Sequence, residues 1–253
     1  MIKKIYKKFF SEKTRIGVRI FFEKNRAFLY RGNNFECNCC GRRFRKLRPK
    51  GNIVRKNAKC PFCGALERHR VLFFYLEKET NLFTKKNCKL LYFAPEHCLL
   101  QKFKQCAFID FIDADINPNY ANYVFNIESI PYPNEYFDFI ICSHVLGHVS
   151  NEQKAIEELY RVLKPEGQAL IMTLIDNTLE KTYEDPSIST PEERLKYYSE
   201  SDLARLHGLD FAQRLSHCFN VEENDYRKNF DCDTQKRFAL GDGNREIIFN
   251  CTK

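Results

Sequence analysis

The chain of 253 residues is 43% hydrophobic and 29% charged, which fits one medium α/β domain with a small accessory module. Its net charge of +8 is uneven: residues 1–70 hold 21 lysines and arginines against 4 acids, a balance of +17, and residues 71–253 hold 20 against 29, a balance of −9. No apolar run approaches the roughly 18 residues of a membrane span, and MIKKIYKKFF lacks the apolar core and cleavage site of a signal peptide. The composition therefore argues against a transmembrane or secreted protein.

Residues 1–33 form a basic, amphipathic N-terminal segment. Ile2, Ile5, Tyr6 and Phe9 fall on one helical face of it. Such a face can lie on an anionic membrane surface or pack on its own protein. The lysines around it can face nucleic acid, a phosphorylated substrate or only water, and these alternatives stay open.

Residues 34–64 contain two CxxCG motifs. Cys37 and Cys40 belong to the first, and Cys60 and Cys63 belong to the second, with 19 residues between Cys40 and Cys60. Together they supply four thiolates, the tetrahedral set that zinc prefers. A four-cysteine site has no open coordination position, so the sequence predicts a structural zinc ribbon.

Cys39 is an alternative ligand, but Cys37 is favoured because its spacing to Cys40, and the glycine that follows, repeat at the second motif. Other cysteines stand singly in apolar surroundings, as Cys142 and Cys251 do. Free buried cysteines behave as small hydrophobic residues. The twelve cysteines therefore indicate one metal site in a reducing compartment, the cytoplasm, rather than a disulfide framework.

Residues 65–253 alternate between helices and short apolar strands, which predicts a mostly parallel sheet. The predicted elements are a helix over 65–80, a strand over 90–93, a helix over 96–105, strands over 107–112, 123–125 and 137–143, a helix over 152–163 and a strand over 169–174. The run Phe-Ile-Ile-Cys inside 137–143 indicates a strand that is buried on both faces.

The last part of the chain is predicted to be less regular. Residues 176–210 are polar, with one or two helices. Residues 238–240 and 246–249 flank the turn sequence Gly-Asp-Gly-Asn and are predicted to pair as an antiparallel hairpin.

Four ordered motifs resemble those of class I S-adenosylmethionine-dependent methyltransferases of the type 11 group. They are IPYP at 130–133, FD at 137–138, SHVLGHV at 143–149 and RVLKPEG at 161–167. The resemblance covers roughly residues 88–175. It implies a Rossmann-like class I methyltransferase sheet with a C-terminal antiparallel hairpin, carrying the zinc ribbon at its N-terminal side.

A narrower resemblance is to a zinc-ribbon subgroup of these enzymes that is associated with capsule and surface-polysaccharide synthesis. The motifs that carry it are CPFCGALERHR at 60–70, FAPE at 93–96, PEERL at 191–195 and DLARLHG at 202–208. This resemblance implies a methyl acceptor that is a surface-glycan sugar or its nucleotide- or phosphate-linked precursor.

The class I resemblance implies that S-adenosylmethionine lies over the carboxyl ends of the strands. Ala94, Pro95 and Glu96 stand where most class I enzymes have a glycine-rich turn, a departure that the zinc-ribbon subgroup shares. Glu96 is a candidate for the cofactor ammonium, or a plain helix N-terminal acid that the helix dipole favours.

Further cofactor candidates follow the second, third and fourth strands. Asp115, beside Ile116, stands where an acid accepts both ribose hydroxyls, and a loop cap is the alternative for its carboxylate. Asn126 and Ile127 fall where the family contacts the adenine. Ser143 lies next to the expected position of the methyl donor.

His144 is the candidate general base, because a methyl acceptor oxygen must lose its proton and an imidazole suits that transfer. The alternative is that His144 only supports the cofactor. Substrate-binding candidates begin with Arg68, His69 and Arg70, since cations at a helix start favour a bound anion unless they form surface ion pairs.

Asp202, Arg205 and His207 are further candidates for the acceptor pocket. The leading hypothesis is an O-methyltransferase that acts on a small anionic or phosphate-bearing sugar. The first alternative is an RNA methyltransferase that uses the ribbon and the basic N-terminus, and the second is a non-catalytic binding module with a methyltransferase fold.

Overall fold

Residues 11–253 are described by a computed structural model of the chain. Its strands are β1 (Arg31–Cys37), β2 (Arg42–Phe44), β3 (Arg48–Lys50), β4 (Arg55–Lys59), β5 (Cys88–Phe93), β6 (Ile109–Asp115), β7 (Tyr123–Val124), β8 (Phe137–Ser143), β9 (Leu163–Met172), β10 (Asn220–Asn224) and β11 (Ile248–Thr252). Its α-helices are α1 (Glu12–Arg26), α2 (Glu67–Lys78), α3 (His97–Phe103), α4 (Glu152–Val162), α5 (Pro191–Tyr198), α6 (Phe211–Leu215) and α7 (Cys232–Phe238). The predicted apolar face of Ile2, Ile5, Tyr6 and Phe9 lies outside the described residues.

A seven-stranded sheet with the order β10-β11-β9-β8-β5-β6-β7 forms the centre of the fold. The pairs β8–β9, β5–β8, β5–β6 and β6–β7 are parallel, whereas β9–β11 and β10–β11 are antiparallel. This confirms the predicted mostly parallel sheet with an antiparallel C-terminal hairpin. Because β5, β6 and β8 run parallel, their carboxyl ends meet at one edge, where ligands bind in open α/β sheets.

Helices cover both faces of the sheet and bury two hydrophobic cores. Leu72 of α2 and Phe103 of α3 belong to one core, and Ile156 and Leu159 of α4 belong to the other. Burying a side chain of this size contributes about 1.5–3 kcal/mol. Every residue of β8 is buried, which confirms the prediction for the Phe-Ile-Ile-Cys run.

Short capping motifs explain where two of these helices begin. The side chain of Asn151 accepts a hydrogen bond from the amide of Lys154 at 3.0 Å and starts α4. Thr190 and Glu193 form a reciprocal capping box at the start of α5. This helix lies in the 176–210 segment, where one or two helices were predicted.

The predicted C-terminal hairpin is wrong in one strand. The segment 238–240 contains the end of a helix instead, since Asp231 caps the start of α7 through the amide of Thr234 at 2.7 Å and Ala239 ends it at a φ of 48°. The strand that pairs with β11 is β10, whose sequence Asn-Val-Glu-Glu-Asn has no apolar alternation. A polar edge strand of this kind gives no periodic signal.

Two small β-hairpins, β1–β2 and β3–β4, form the cysteine-rich part. Arg70 of α2 joins them to the rest of the fold, because its buried guanidinium donates to the carbonyl oxygens of Ala58, Ala65, Phe238 and Ala239 at 2.6–3.0 Å. Among the described residues, no helix is long and apolar enough to cross a membrane.

Candidate active site and cysteine cluster

The sulfur atoms of Cys37, Cys40, Cys60 and Cys63 lie within 4.8 Å of one another. The first pair forms the turn between β1 and β2, and the second pair follows β4. The Sγ atoms of Cys37 and Cys63 are 3.6 Å apart, and those of Cys40 and Cys60 are 3.8 Å apart. The structure therefore brings together the four thiols that the spacing singled out.

The glycine after each cysteine pair has a backbone conformation that few other residues adopt. Gly41 has a φ of 67° and Gly64 has a φ of 79°. Their amides donate to the carbonyl oxygens of Cys37 at 2.7 Å and Cys60 at 3.2 Å. Cys39 lies outside the cluster, with its sulfur 3.6 Å from the carbonyl oxygen of His69.

Glu96 supplies the anion at the start of α2. Its Oε1 lies 2.6 Å from Nε2 of His69 and 3.4 Å from the Arg68 guanidinium, and its Oε2 accepts from the Tyr92 hydroxyl. Although burial alone would raise the pKa of Glu96, His69, Arg68 and Tyr92 lower it to about 2. Glu96 is therefore a half-buried carboxylate with three protein partners, which fits the alternative of an acid at a helix N-terminus, and its contact with the cofactor ammonium stays a prediction.

The three predicted substrate residues at the start of α2 differ in their hydrogen-bond partners. Nδ1 of His69 accepts from the amide of Leu66 at 3.1 Å, so both ring nitrogens have protein partners. Arg70 is fully buried and bound to carbonyl oxygens, which gives it a structural role rather than the predicted substrate-binding role. Arg68 remains a candidate because its Nε is buried and has no hydrogen-bond partner among the described residues.

A cavity of about 500 Å³ opens at the carboxyl ends of β5, β6 and β8. This volume is within the range of small-molecule sites. The residues that line it are Phe93, Ala94, Asp115, Ile116, Phe125, Asn126, Ile127, Glu128, His144, Val145, His148, Val149, Ser150 and Asp202. It thus gathers Ala94, Asp115, Ile116, Asn126 and Ile127 of the predicted cofactor set around one space, together with His144.

The two carboxylate oxygens of Asp115 have different surroundings. One oxygen, Oδ1, accepts from the amide of Asn117 at 2.8 Å, which is the predicted loop cap. The second oxygen has no hydrogen-bond partner among the described residues. Both alternatives for Asp115 are therefore geometrically compatible, because one oxygen holds the turn while the other stays available to a hydroxyl.

The predicted adenine neighbours differ in burial. Ile127 is buried, whereas Ile116 is 72% exposed although it lines the cavity. The Oδ1 atom of Asn126 accepts from the amide of Glu128 at 3.0 Å, which leaves the side-chain NH₂ available as a donor. An apolar wall beside an amide donor can accommodate a flat heterocycle.

His144 lies at the end of β8 with its ring against the cavity. Its Nε2 is 3.2 Å from the carbonyl oxygen of Arg245, and a carbonyl only accepts, so Nε2 carries the proton. Nδ1 then keeps a lone pair, with no partner among the described residues. Burial, followed by the charge of Arg68, lowers the pKa of His144 well below its usual value, so the ring is neutral near pH 7.

Two residues at this edge have left-handed backbone conformations. Ala94 has a φ of 46° and His144 has a φ of 56°, at the ends of the paired strands β5 and β8. Such conformations cost a non-glycine residue about 1–3 kcal/mol and cluster at functional sites. The conformation of Ala94 is the one that glycine adopts readily, which explains why a glycine is common at such a turn.

Pro95, Glu96 and Ser143 do not line the cavity. Pro95 and Glu96 face a separate space under α1 instead. Ser143 is buried, and its hydroxyl has no hydrogen-bond partner among the described residues.

Of the last three substrate candidates, only Asp202 reaches the cavity. Arg205 is buried and donates to the carbonyl oxygens of Leu146 and Val149 at 2.8 and 2.9 Å. His207 is buried too, with Nε2 2.5 Å from Oε1 of Glu152. These contacts give both residues structural roles: Arg205 holds the loop after β8, and His207 holds the first residue of α4.

Sequence reasoning missed the partner of His144 and part of the cavity wall. Arg245 orients the imidazole through its backbone carbonyl, a contact that any residue type makes and that has no sequence signal. Val145 and Val149 line the cavity inside the SHVLGHV motif. That motif itself was the available signal for these two residues.

The comparisons with known proteins agree with this geometry. Residues 90–211 match a family described as a methyltransferase domain. The ubiquinone/menaquinone biosynthesis C-methyltransferase UbiE of Hydrogenovibrio crunogenus is 47% identical over 47 residues, 19% of this chain and 18% of that protein. The protein of the same name from Psychromonas ingrahamii is 30% identical over 115 residues, 40% of this chain and 45% of that protein. The matches thus span less than half the length of these relatives.

A solved structure shares the fold. It is a chain of the complex between the Haloferax volcanii Trm112 methyltransferase activator and a methyltransferase, with 10% sequence identity and a TM-score of 0.50. The likeness covers 74% of this chain and 90% of that chain. Residues 90–211 thus match a methyltransferase domain, and the mostly parallel sheet with a cavity at its carboxyl edge is consistent with that match.

Proposed function

We propose that the whole chain is an active S-adenosylmethionine-dependent methyltransferase that binds its cofactor in the Asp115 cavity and uses His144 as general base. One observation carries the proposal. A carboxylate oxygen of Asp115 and Nδ1 of His144, both without partners among the described residues, belong to the same cavity at the carboxyl edge of the sheet.

The cavity residues fit the cofactor. The free oxygen of Asp115 can accept from a ribose hydroxyl, and Ile116 and Ile127 offer apolar surface beside the amide of Asn126 for the adenine. S-adenosylmethionine, when bound, supplies an electrophilic methyl group. Arg68, with its buried unpaired Nε, is the candidate for a carboxylate or phosphate.

The role of His144 follows from its protonation state. Its Nδ1 holds a lone pair and accepts the proton that an acceptor hydroxyl loses as its oxygen becomes methylated. The carbonyl of Arg245 holds the ring in the required tautomer. The depressed pKa keeps the base form populated at neutral pH.

For the acceptor, we propose a small sugar derivative with an anionic or phosphate group, methylated on oxygen. The support is the resemblance to the zinc-ribbon subgroup and the buried Nε of Arg68, which has no hydrogen-bond partner among the described residues. Arg70, Arg205 and His207 have structural partners and give the proposal no support. The relatives named above are C-methyltransferases, so a carbon acceptor is the competing outcome of the test.

We further propose that the four-cysteine cluster holds a structural zinc ion. A zinc–sulfur distance of about 2.3 Å implies sulfur–sulfur separations of about 3.8 Å in a regular tetrahedron. The separations of 3.6 and 3.8 Å in the cluster fit that geometry. With four thiolates the ion has no open position for substrate, so it would stabilise the hairpins.

The test is a labelled-methyl transfer assay with purified, metal-replete protein. Its substrates are nucleotide sugars, phosphorylated sugars, a quinone precursor and total RNA, each with a His144→Ala control. Label in the sugars that depends on His144 supports the acceptor proposal. Sequence-selective label in RNA, or label only on quinone carbon, overturns the sugar acceptor. No detectable cofactor binding by folded protein overturns the enzymatic function itself and favours a non-catalytic module.

A further inference from the structure

The outward face of α1 and of the turn after it exposes four large apolar side chains. Phe21, Phe22, Phe28 and Leu29, here called the α1 patch, are 63%, 58%, 60% and 49% exposed. Phe21 and Phe22 lie in the last two turns of α1, and Phe28 and Leu29 lie in the short 3-10 helix over Ala27–Tyr30 that follows it directly. The rings of Phe21 and Phe22 contact each other, with centroids 5.8 Å apart.

The stretch of chain that carries the α1 patch is rich in exposed cations. Lys13, Arg19, Arg26 and Arg31 are all exposed in the same stretch of chain. Of these, Arg19 and Arg26 are three residues before and four residues after Phe22, which places them along its side of the helix.

Both acids of the helix are bound on the other side. Glu12 contacts the side-chain amide of Asn119 at 3.3 Å, on the loop after β6. Glu23 forms ion pairs with Lys59 at 2.9 Å and Arg48 at 3.0 Å, on the β3–β4 hairpin. The carboxylates thus attach α1 to the protein, and the exposed residues of the helix include cations but no acid.

Because the acids of α1 are bound to the protein while aromatic and cationic side chains stay exposed, we propose that α1 binds the surface of an anionic phospholipid bilayer. The α1 patch inserts at the boundary between headgroups and acyl chains, and Arg19, Arg26 and Arg31 contact lipid phosphates. A second copy of the chain is a poorer occupant, because a symmetric contact would bring like charges together. RNA is poorer as well, because Leu29 is aliphatic and the contacting rings of Phe21 and Phe22 are not splayed to receive bases.

Vesicle binding by the full-length protein tests the proposal. The chain has no tryptophan, so Phe22→Trp provides a single fluorescent reporter. We expect its emission to shift to the blue with vesicles of phosphatidylcholine and phosphatidylglycerol, and not with phosphatidylcholine alone. Val54→Trp is the matched control, since Val54 is 67% exposed on the β3–β4 turn.

Co-sedimentation with the same vesicles measures the partition coefficient of each variant. Phe21→Ser with Phe22→Ser should lower the partition coefficient at least about tenfold, the scale for withdrawing two aromatic side chains from an apolar phase. Arg19→Gln and Arg26→Gln should each lower it about fivefold and weaken its salt dependence. Ile53→Ser with Val54→Ser should leave it unchanged.

Three outcomes would overturn the proposal. The first is equal partitioning of the wild type and the Phe21→Ser, Phe22→Ser variant. The second is a wild-type dimer in light scattering that this variant abolishes. The third is retention of total RNA on filters, in the absence of lipid binding, that this variant abolishes. Methyl transfer to a water-soluble acceptor should be the same in the variant, which separates the lipid surface from the proposed activity.

Discussion

The Nε2 atom of His144 lies 3.2 Å from the carbonyl oxygen of Arg245, and the guanidinium of Arg245 pairs with Glu200 at 3.1 Å. This contact joins the end of β8 to the segment before β11, 101 residues away in sequence. Because the carbonyl fixes Nε2 as the donor, the lone pair is on Nδ1. The C-terminal segment therefore sets the tautomer of the candidate base.

Replacing His144 by alanine should lower kcat by about 10²–10⁴, the usual contribution of a general base. Cofactor affinity should change little, because Asp115 and the apolar walls remain. Steady-state kinetics and calorimetry measure the two effects separately. His217→Ala, an exposed histidine, is the matched control. Normal turnover by the His144→Ala enzyme would remove the assignment of the base.

The pH dependence of the reaction should follow the buried environment of His144. Burial, then the charge of Arg68, lowers the pKa of the imidazole well below 6.5, and the neutral form is the active one. The value of kcat/KM should thus rise with pH through an inflection below 6.5 and be level above it. A pH–rate profile with parallel metal analysis tests this. An inflection above 6.5 would contradict the assignment.

Asp115→Ala should weaken S-adenosylmethionine binding by about 1–3 kcal/mol, since it leaves hydrogen-bonding groups of the ligand unpaired. Asp110→Ala is the matched control, because Asp110 lies on the same strand and is exposed. Calorimetry gives both affinities. If Asp115→Ala changed only the melting temperature and not the affinity, the loop cap would be the sole role of this carboxylate.

Purified protein should contain one zinc ion per chain, and Cys60→Ser should lose it and misfold. Cys39→Ser should keep the metal because Cys39 lies outside the cluster, and Cys232→Ser, at an exposed position, should keep it too. Elemental analysis measures the metal content. Full occupancy after replacement of all four clustered cysteines would refute the site.

Arg70→Met should destabilise the fold by at least about 2 kcal/mol, because each buried carbonyl left unsatisfied costs about 1–3 kcal/mol. Arg43→Met should stay within about 0.5 kcal/mol, since that side chain is 56% exposed. Chemical denaturation of metal-replete protein compares the two. Unchanged stability with a raised acceptor KM would restore the substrate-binding role of Arg70.

The sequence by itself determined the features that depend on local pattern. Apolar runs such as 137–143 require burial, so they predicted the central strands. The repeated CxxCG spacing singled out the four cysteines because two thiols separated by two residues converge in one turn. Asp115 and His144 were found through the resemblance to class I methyltransferases, which places cofactor and catalytic residues at the carboxyl ends of parallel strands.

The tertiary structure alone decided which charged groups are free. Arg70, Arg205 and His207 resemble binding residues in sequence, yet long-range partners such as Phe238 and Glu152 occupy them. A buried cation must find hydrogen-bond acceptors, and those acceptors come from segments far away in the chain. The pairing of the polar strand β10 and the contact made by the carbonyl of Arg245 were also decided by the tertiary structure. Both depend on backbone groups, which every residue type carries.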